Sequence, residues 1–409
     1  MIQILGIFAV KFLALMVILL LLTASHDQIM GHVRASQPST SNEEPQITNR
    51  ITGQSEIIVG SLPGDMSLVD AAKRARNGQT VYFRAGLYSK QVASWRQDDL
   101  TLRSLDGPVI LDSNGTSAEG KAIFVVKGNN VTIDGLTFKN CKVPDANGAG
   151  IRLEGGKLTV LNSTFEGNEQ GILTGNSRLQ ELIVKGSKFI RNGTEAGLSH
   201  SIYAGRIKRL VVNSSHFEHS LGGHFIKSRA LSSFIKYNKV IDQLGIASVK
   251  LDFPEGGRVE IIGNIIQHGE SSRNQNILAY GFDALNDDKT DKLIVVHNSF
   301  INDRKRACTL VLNPRSGQLS FSNNVLSGDS CDVSNLSEEN RRGIEILKNQ
   351  KLVGSASRLT FAISQLRSIT PAQPIGKQYK PNFFFNEKLE LEEIKFKAIK
   401  FGAIQILAP

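Results

Sequence analysis

The sequence predicts an all-β protein, a right-handed parallel β-helix with a capping helix at its N-terminal end. Three observations predict this fold. A phrase that ends on a large apolar residue recurs at steps of 27, 24, 28, 24, 25, 34 and 26 residues. Each phrase alternates apolar and polar residues, which is the period of a strand and not of a helix. Asn, Gly or Ser precedes most of the closing residues, as expected where a chain bends between short strands.

The closing residue marks one position of each coil, so the closing residues should form one column. They are Phe138, Phe165, Phe189, Phe217, Ile241, Ile266, Phe300 and Leu326. A unit of about 24 to 28 residues built from short strands fits one coil of a β-helix. A β-sandwich is the alternative, but it should show hairpin turns and has no reason to keep a period across eight phrases.

The N-terminal segment predicts export. Residues 1–25 carry one charge, Lys11, followed by the apolar run FLALMVILLLLTAS. This run suits a signal peptide and is short for a membrane span, although an uncleaved anchor stays open. Residues 26–55 are polar and are interpreted as a linker. We therefore expect a secreted or periplasmic protein with no membrane contact after signal removal.

The next segment, SLVDAAKRARNGQTVYFRAGLY at 67–88, predicts a cap and a first strand. Leu68, Ala71, Ala72 and Ala75 share one helical face, and Gly78 ends the helix. The segment resembles the start of pectin-lyase-like β-helices, in which a short helix covers the open end of the coils. With the coils that follow, the resemblance covers about residues 60–335. It implies a fold rather than an activity. We assign 56–335 to the β-helix and 336–409 to an irregular C-terminal capping region.

The charge and cysteine content of the chain limit the classes of partner that we expect. The net charge of +10 should attract polyanions. Nucleic acid is a poor candidate partner, because no basic run with interleaved aromatic residues occurs. We expect a monomer that binds an acidic polysaccharide. Three cysteines cannot build a disulfide framework. Cys308 and Cys331 could pair, but buried free thiols are the favoured interpretation. No zinc spacing occurs, so no metal site is predicted.

Aligning the second strand of each coil predicts a polar site. The inward column of this alignment is Ile151, Ile172, Ile202, Ile226, Val249, Ile277 and Leu310. Alternation then turns the following residues outward, and stacked strands lie about 4.8 Å apart. The outward column is Arg152, Leu173, Tyr203, Lys227, Lys250, Leu278 and Val311, with Arg229, Asp252 and Tyr280 two residues further along. His200 and His224 precede two neighbouring strands.

This column could be an ordinary solvated face, but a structural face would usually alternate the sign of its charges. Removing the proton α to a uronate carboxylate needs a base, an acid and a cation that neutralises the carboxylate. Lys227 is the candidate base, because neighbouring positive charge disfavours its protonated form. Lys250 is the candidate neutraliser, and Tyr203 or His224 the acid. The candidate substrate-binding residues are His200, Arg229, Asp252, Tyr280 and Arg152.

The stretch HFIKSRALSSFIKYNKVIDQLGIASVKLDFPEGGRVEIIGN, residues 224–264, resembles the active-site coils of the chondroitinase B and alginate lyase family, polysaccharide lyase family six. In that family a Lys in a Lys-Ser strand is the base, and an Arg one coil later assists it. Lys227 matches the Lys, whereas Lys250 stands where the Arg would be. The calcium-binding carboxylates of the family have no clear counterpart here. The sequence therefore indicates no cofactor and leaves calcium open.

Together these features predict an exported β-helix protein that acts on a uronate-containing polysaccharide, as a lyase that cleaves by β-elimination. Two alternatives stay open: a non-catalytic β-helix that binds polysaccharide, and a uronate C5-epimerase. A hydrolase is disfavoured, because glycoside hydrolysis needs paired carboxylates and the Asp cluster of polygalacturonases is missing.

Overall fold

Short strands separated by turns rich in glycine, asparagine and serine make up most of the chain. The computed structural model describes residues 56–283, 291–313, 318–348, 381, 383–385 and 391–393. The predicted signal peptide and linker lie outside the described residues. So does most of the predicted C-terminal capping region.

Two helices occur in the described residues, α1 (Leu68–Arg74) and α2 (Glu338–Arg342). The strands, in chain order, are β1 (Ile57–Val59), β2 (Thr80–Phe83), β3 (Gly86–Ser89), β4 (Ala93–Trp95), β5 (Thr101–Ser104), β6 (Val109–Asp112), β7 (Ala122–Val126), β8 (Val131–Asp134), β9 (Leu136–Lys139), β10 (Ala149–Leu153), β11 (Lys157–Leu161), β12 (Thr164–Glu166), β13 (Gln170–Thr174), β14 (Glu181–Lys185), β15 (Lys188–Ile190), β16 (Ile202–Ala204), β17 (Arg209–Asn213), β18 (His216–Glu218), β19 (Ile226–Ser228), β20 (Ser232–Lys236), β21 (Lys239–Ile241), β22 (Leu251–Phe253), β23 (Arg258–Ile262), β24 (Ile265–His268), β25 (Asn276–Tyr280), β26 (Lys292–Val296), β27 (Ser299–Asn302), β28 (Thr309–Leu312), β29 (Gln318–Ser322), β30 (Asn324–Gly328), β31 (Ile344–Lys348), β32 (Phe383–Phe385) and β33 (Leu391–Glu393).

Every third strand stacks on its counterpart in the next coil, which produces three long parallel sheets. Sheet 1 has the order β1-β2-β5-β8-β11-β14-β17-β20-β23-β26-β29, and sheet 2 the order β3-β6-β9-β12-β15-β18-β21-β24-β27-β30-β31. Sheet 3 has the order β4-β7-β10-β13-β16-β19-β22-β25-β28. The predicted right-handed parallel β-helix is confirmed.

The core is a stack of apolar side chains from all three sheets. In sheet 2 the rings of Phe138, Phe165, Phe189 and Phe217 lie one above the other, with centroids 5.2, 4.8 and 4.7 Å apart. Burying each ring stabilises the fold by about 1.5–3 kcal/mol. The predicted column of closing residues is therefore confirmed, except at Ile241. Val240 pairs with Phe217 and takes that position instead.

The corner between sheets 1 and 2 carries a buried ladder of hydrogen bonds. Ser163, Ser187 and Ser215 form its first part: the backbone N–H of Ser163 and that of Ser187 each donate to the serine hydroxyl one coil later, and the N–H of Ser215 donates to Asn238 Oδ1. Asn238, Asn264, Asn298 and Asn324 continue it through their side-chain amides. The Asn and Ser residues that predicted the bends thus satisfy backbone groups that the fold encloses.

Helix α1 covers the N-terminal end, as predicted. The hydroxyl of Ser67 accepts a hydrogen bond from the backbone N–H of Asp70 and caps the helix. Leu68 and Ala71 face the core, which closes the apolar interior of the first coils. Beneath the cap, Trp95 is fully enclosed against Phe124, with ring centroids 5.6 Å apart.

At the other end, strand β31 pairs with β30 and adds a rung to sheet 2 beyond residue 335. Cys308 and Cys331 form a disulfide, so the expectation of free thiols is wrong for this pair. The loop of each cysteine lies on a neighbouring coil, which brings the sulfur atoms together. The part of the chain that the structure describes contains no helix long and apolar enough to cross a membrane.

Candidate functional site

The candidate site lies on the outer face of sheet 3, where the register decides which side chains meet. Tyr203 pairs with Lys227, and Lys227 pairs with Asp252 on the following rung. The inward column from Ile151 to Ile226 is confirmed. Beyond it the predicted register is wrong, because Ile226 pairs with Leu251 and not with Val249.

The error has a simple physical origin. Val249 and Leu251 are two residues apart, so either satisfies the alternation of a strand. Ile277 and Leu310 are buried, as expected, but the column that continues from Leu251 runs through Leu278 and Val311 instead. All residues of β25 are buried, so its two faces cannot be told apart by hydrophobicity.

The change of register removes Lys250 from the site. Its side chain is fully buried, and its Nζ lies 2.7 Å from Asp242 Oδ2 and 2.7 Å from Ser272 Oγ. Burial lowers the pKa of the Lys250 amine, while Asp242 opposes that shift. The expectation that Lys250 lies in an accessible groove is therefore wrong. It is half of an interior ion pair.

Tyr280 and Arg152 also lie outside the cluster around Lys227. Tyr280 is buried, and its hydroxyl donates to the carbonyl oxygen of Gly257 at 2.7 Å. It cannot line an open groove, which corrects the prediction. Arg152 is half-buried in the expected column, but the rung of Leu173 separates it from Tyr203.

Lys227, His224 and Asp252 form the centre of the site. Asp252 Oδ2 lies 3.4 Å from Lys227 Nζ and 3.3 Å from His224 Nε2. Asp252 is only 1% exposed, so the expectation that it is accessible is wrong. Burial raises the pKa of its carboxyl to about 6, although Lys227 and Arg229 oppose the shift. Asp252 thus contacts Lys227 from the next rung and does not face solvent.

Two stacked histidines border the centre. The rings of His200 and His224 are parallel within 4°, with centroids 4.9 Å apart. Burial and the neighbouring cation Lys227 lower the pKa of His224 to about 3. Burial also lowers the pKa of His200, with His224 and Lys227 acting in the same direction. Both rings are therefore neutral at physiological pH. His200 was expected at the edge of the face, and it lies beside Tyr203 at 5% exposure.

Arg229 connects the site to a second group of charges. Its Nη1 lies 2.7 Å from Glu255 Oε1 and 2.7 Å from Asp283 Oδ2. Arg206 binds the same buried Glu255, with 2.9 Å between Nη2 and Oε1. Burial alone would lower the pKa of Arg229, but the hydrogen bonds to Glu255, Asp283 and Tyr203 raise it. The guanidinium is held in place beside Tyr203.

Sequence reasoning missed Glu255, Asp283 and Arg206. Glu255 follows β22 in a turn that continues through Gly256 and Gly257, both at positive φ. A glutamate before two glycines is an ordinary surface turn by its sequence. Nothing in its spacing marks it as the buried partner of two arginines that come from earlier coils.

The described residues offer little for a metal ion. They contain no group of three or more His, Cys, Asp or Glu side chains arranged to hold one. Cys308 and Cys331 are consumed by their disulfide. Burial raises the pKa of the Cys141 thiol to about 12, so it does not supply a thiolate.

A family model described as "NosD: Periplasmic copper-binding protein (NosD)" matches residues 75–307, more than half of the chain. The chain belongs to the NosD family. The match spans the coils from the end of the capping helix to β27, and so includes the site of this NosD family member. No curated protein sequence matches it.

Solved structures resemble this NosD family member at low identity. A mutant of the PL6 family alginate lyase AlyGC is 13% identical with a TM-score of 0.33, over 74% of this chain and 52% of that chain. A PL6 family polysaccharide lyase from Pseudopedobacter saltans is 12% identical with a TM-score of 0.32, over 70% and 90%. A pectin methylesterase mutant in complex with a hexasaccharide is 11% identical with a TM-score of 0.29, over 73% and 94%. The chain spans about half the length of AlyGC. These likenesses concern the fold alone.

Proposed function

We propose that the outer face of sheet 3 binds a uronate-containing polysaccharide and cleaves it by β-elimination. The observation that carries the proposal is the pairing of Tyr203 with Lys227 on neighbouring rungs, beside Arg229. Paired strands lie about 4.8 Å apart, so one sugar residue can contact both side chains. Lys227 and Arg229 are partly exposed, and their positive charge suits a carboxylate.

The reaction assigns a separate role to each side chain. Lys227 Nζ takes the proton from C5 of the uronate. The electron pair of that C–H bond forms the C4–C5 double bond and expels the glycosidic oxygen. The hydroxyl of Tyr203 supplies the proton to that oxygen. Asp252 positions Lys227 from the next rung, His224 contacts Asp252, and Arg229 stabilises the charge that builds on the carboxylate.

One observation favours a second function, the binding of an acidic polysaccharide without cleavage. The neighbour of Lys227 on the next rung is the carboxylate of Asp252, not the cation that the sequence predicted. A lysine that keeps its proton beside a carboxylate can bind a uronate but cannot accept a proton from it. The same face would then bind the polysaccharide through Lys227 without cleaving it.

The family description also raises copper as a ligand of this chain. The described residues do not fit that ligand, since they provide neither a cluster of three or more His, Cys, Asp or Glu side chains nor a free accessible thiol. We therefore derive no step through copper. We place the protein in the periplasm or outside the cell, and the Cys308–Cys331 disulfide supports an oxidising compartment.

The proposal is tested by mixing the protein with a panel of acidic polysaccharides and following the ultraviolet absorbance of the unsaturated product. Loss of a positioned base costs about 10² to 10⁴-fold in rate, and we expect that loss for Lys227→Ala. Lys236→Ala is the matched control, because Lys236 pairs with Glu260 on sheet 1. Its rate should equal that of the parent.

Two outcomes would overturn the lyase assignment. One is full activity of Lys227→Ala on a substrate that the parent cleaves. The other is retention of a polyuronate on a column of immobilised protein without any cleavage, which would establish the binding function instead.

A further inference from the structure

The two stacked histidines accept hydrogen bonds from the backbone of the next coil. His200 Nδ1 accepts from the N–H of His224 at 3.0 Å, and His224 Nδ1 accepts from the N–H of Val249 at 3.1 Å. Gly223 makes the close approach feasible, because a Cβ there would lie 1.6 Å from the carbonyl oxygen of Ser199. The ladder is thus built into the backbone of these coils.

These hydrogen bonds fix the tautomer of both rings. A neutral imidazole carries one N–H, and the nitrogen that accepts a hydrogen bond cannot be the one that carries it. The proton of each ring therefore lies on Nε2. In a doubly protonated ring the Nδ1–H would face a backbone N–H at hydrogen-bond distance. Two donors repel each other, so the observed contact is incompatible with that form. His200 and His224 each present a fixed Nε2–H donor.

The two donors have different surroundings. His224 Nε2 lies 3.3 Å from Asp252 Oδ2 and so faces a carboxylate oxygen of the protein. The hydrogen bonds of His200 involve its backbone N–H and Nδ1, and among the described residues none involves Nε2, although His200 is only 5% exposed. Its ring packs edge-on against Tyr203, with centroids 5.5 Å apart. Lys227 and Arg229 are close enough to act on it electrostatically.

We propose that the Nε2–H of His200 binds the carboxylate of the sugar held at Tyr203 and Lys227, and so selects uronates over neutral sugars. This inference rests on the proposed function in one respect: it takes the outer face of sheet 3 as the site that binds the sugar. A fixed donor without an acceptor, beside two cations, fits an anionic oxygen. The enclosed position of the ring makes this contact a determinant of specificity.

The same tautomer argues against copper at these rings. A metal ion binds the lone pair of an imidazole nitrogen. In both histidines the Nδ1 lone pair is committed to a backbone N–H, and Nε2 carries a hydrogen. Copper could bind only if the ladder were broken. The stacked pair therefore serves as a pair of donors and not as a pair of metal ligands.

Replacing His200 in two ways separates the donor from the ladder. The side-chain oxygen of asparagine can take the place of Nδ1, so His200→Asn keeps the hydrogen bond from His224 and loses the outer donor. The amide of glutamine can take the place of Nε2, so His200→Gln keeps the donor and loses the inner bond. His216→Asn is the matched control, since His216 lies on sheet 2 beside Glu218.

The probes are short oligosaccharides of mannuronate and of galacturonate, together with their carboxyl-reduced, neutral counterparts, and binding is measured by calorimetry. We expect His200→Asn to raise the dissociation constant of a uronate oligosaccharide that the parent binds by about tenfold or more, because a hydrogen bond to a charged group is lost. Its affinity for the neutral counterpart should not change. His200→Gln should keep most of the preference, and His216→Asn all of it.

A separate readout tests the tautomer. The ¹⁵N chemical shifts of both rings should show Nε2–H throughout neutral pH, with and without Cu²⁺. Nδ1–H tautomers, or resonances displaced by Cu²⁺ as ligands, would overturn the inference. So would an unchanged preference in His200→Asn, or a parent that binds neither kind of oligosaccharide. If His200-dependent binding occurs without cleavage, the lyase proposal fails and this inference stands. If the parent cleaves and His200→Asn keeps its preference, only this inference fails.

Discussion

Burial acts on two neighbouring groups of the site in opposite directions. It raises the pKa of Asp252 to about 6 and lowers the pKa of His224 to about 3. Both shifts favour the neutral form, because charge is costly away from water. Above about pH 6 Asp252 is ionised and pairs with Lys227, while His224 remains neutral. Above this pH the site therefore holds a buried negative charge on the rung next to the lysine.

These shifts predict that acid destabilises the protein. Burial is the main cause of the lowered pKa of His200, His224 and His268, so the unfolded state binds more protons than the folded state below pH 6.5. Asp252 acts oppositely, since the stability from its raised pKa is present below about 3.8 and is lost as the pH rises through 6. The effect of the three histidines on stability is larger than the opposite effect of the one carboxyl. Each net proton costs about 1.4 kcal/mol per pH unit.

Urea unfolding at pH 7 and pH 5 measures this effect. The free energy of unfolding should be lower at pH 5, and the difference should shrink in His224→Asn and grow in Asp252→Asn. Equal or greater stability of the parent at pH 5 would show that these histidines carry their charge inside the folded protein.

At this scale the sequence could predict Tyr203 and Lys227 as neighbours but not the partner of Lys227. Ile202 and Ile226 define one register without ambiguity, which placed the first two residues correctly. Val249 and Leu251 allow two registers, and only the packed coil chooses between them. The ion pairs of Glu255 depend on how a loop folds back across coils, which no local pattern encodes.

In the asparagine ladder between sheets 1 and 2, each residue is hydrogen-bonded to the coil before it and to the coil after it. Asn264 accepts the N–H of Asn238 at 2.8 Å and donates its amide to the carbonyl oxygen of Ile235 at 2.9 Å. Its own N–H donates to Asn298 at 2.9 Å. The sequence predicted turns at these residues, because asparagine favours bends. That the amides point inward and bridge coils follows from stacking and could not be predicted from one coil.

We predict that Asn264→Ala destabilises the protein by about 2–5 kcal/mol, since it leaves at least two enclosed backbone groups without partners at about 1–3 kcal/mol each. The measurement is the free energy of unfolding in urea. Asn213→Ala is the control, because Asn213 ends strand β17 on the half-exposed outer surface. A loss in Asn264→Ala no larger than in Asn213→Ala would mean that water replaces the missing amide.

The whole molecule is quasi-one-dimensional, because each coil contacts only the coils next to it. Stability therefore depends on how the two ends are closed. Helix α1 covers the first coils, and the Cys308–Cys331 disulfide joins two coils near the other end of sheet 3. The regular repeat allowed the sequence to predict the solenoid as a whole, whereas the disulfide needed the positions of two loops.

Removal of this disulfide should weaken the C-terminal coils. Closing a loop of 23 residues stabilises a protein by about 3 kcal/mol in the chain-entropy description. We expect Cys308→Ser with Cys331→Ser to show faster amide exchange in β25, β28 and β29 than the parent, with β2, β5 and β8 unchanged. Cys141→Ser, which alters the buried free cysteine, is the control. Equal exchange in β28 with and without the disulfide would contradict the prediction.

The chain contains a single tryptophan, and Trp95 is sealed beneath the N-terminal cap, at the opposite end from the disulfide. Its fluorescence is therefore a local gauge of the first coils, whereas circular dichroism at the strand band averages over all of them. If the solenoid unfolds from one end first, the fluorescence change and the circular dichroism change occur at different times and at different denaturant concentrations. This placement gives the protein an intrinsic label for the direction in which its coils open.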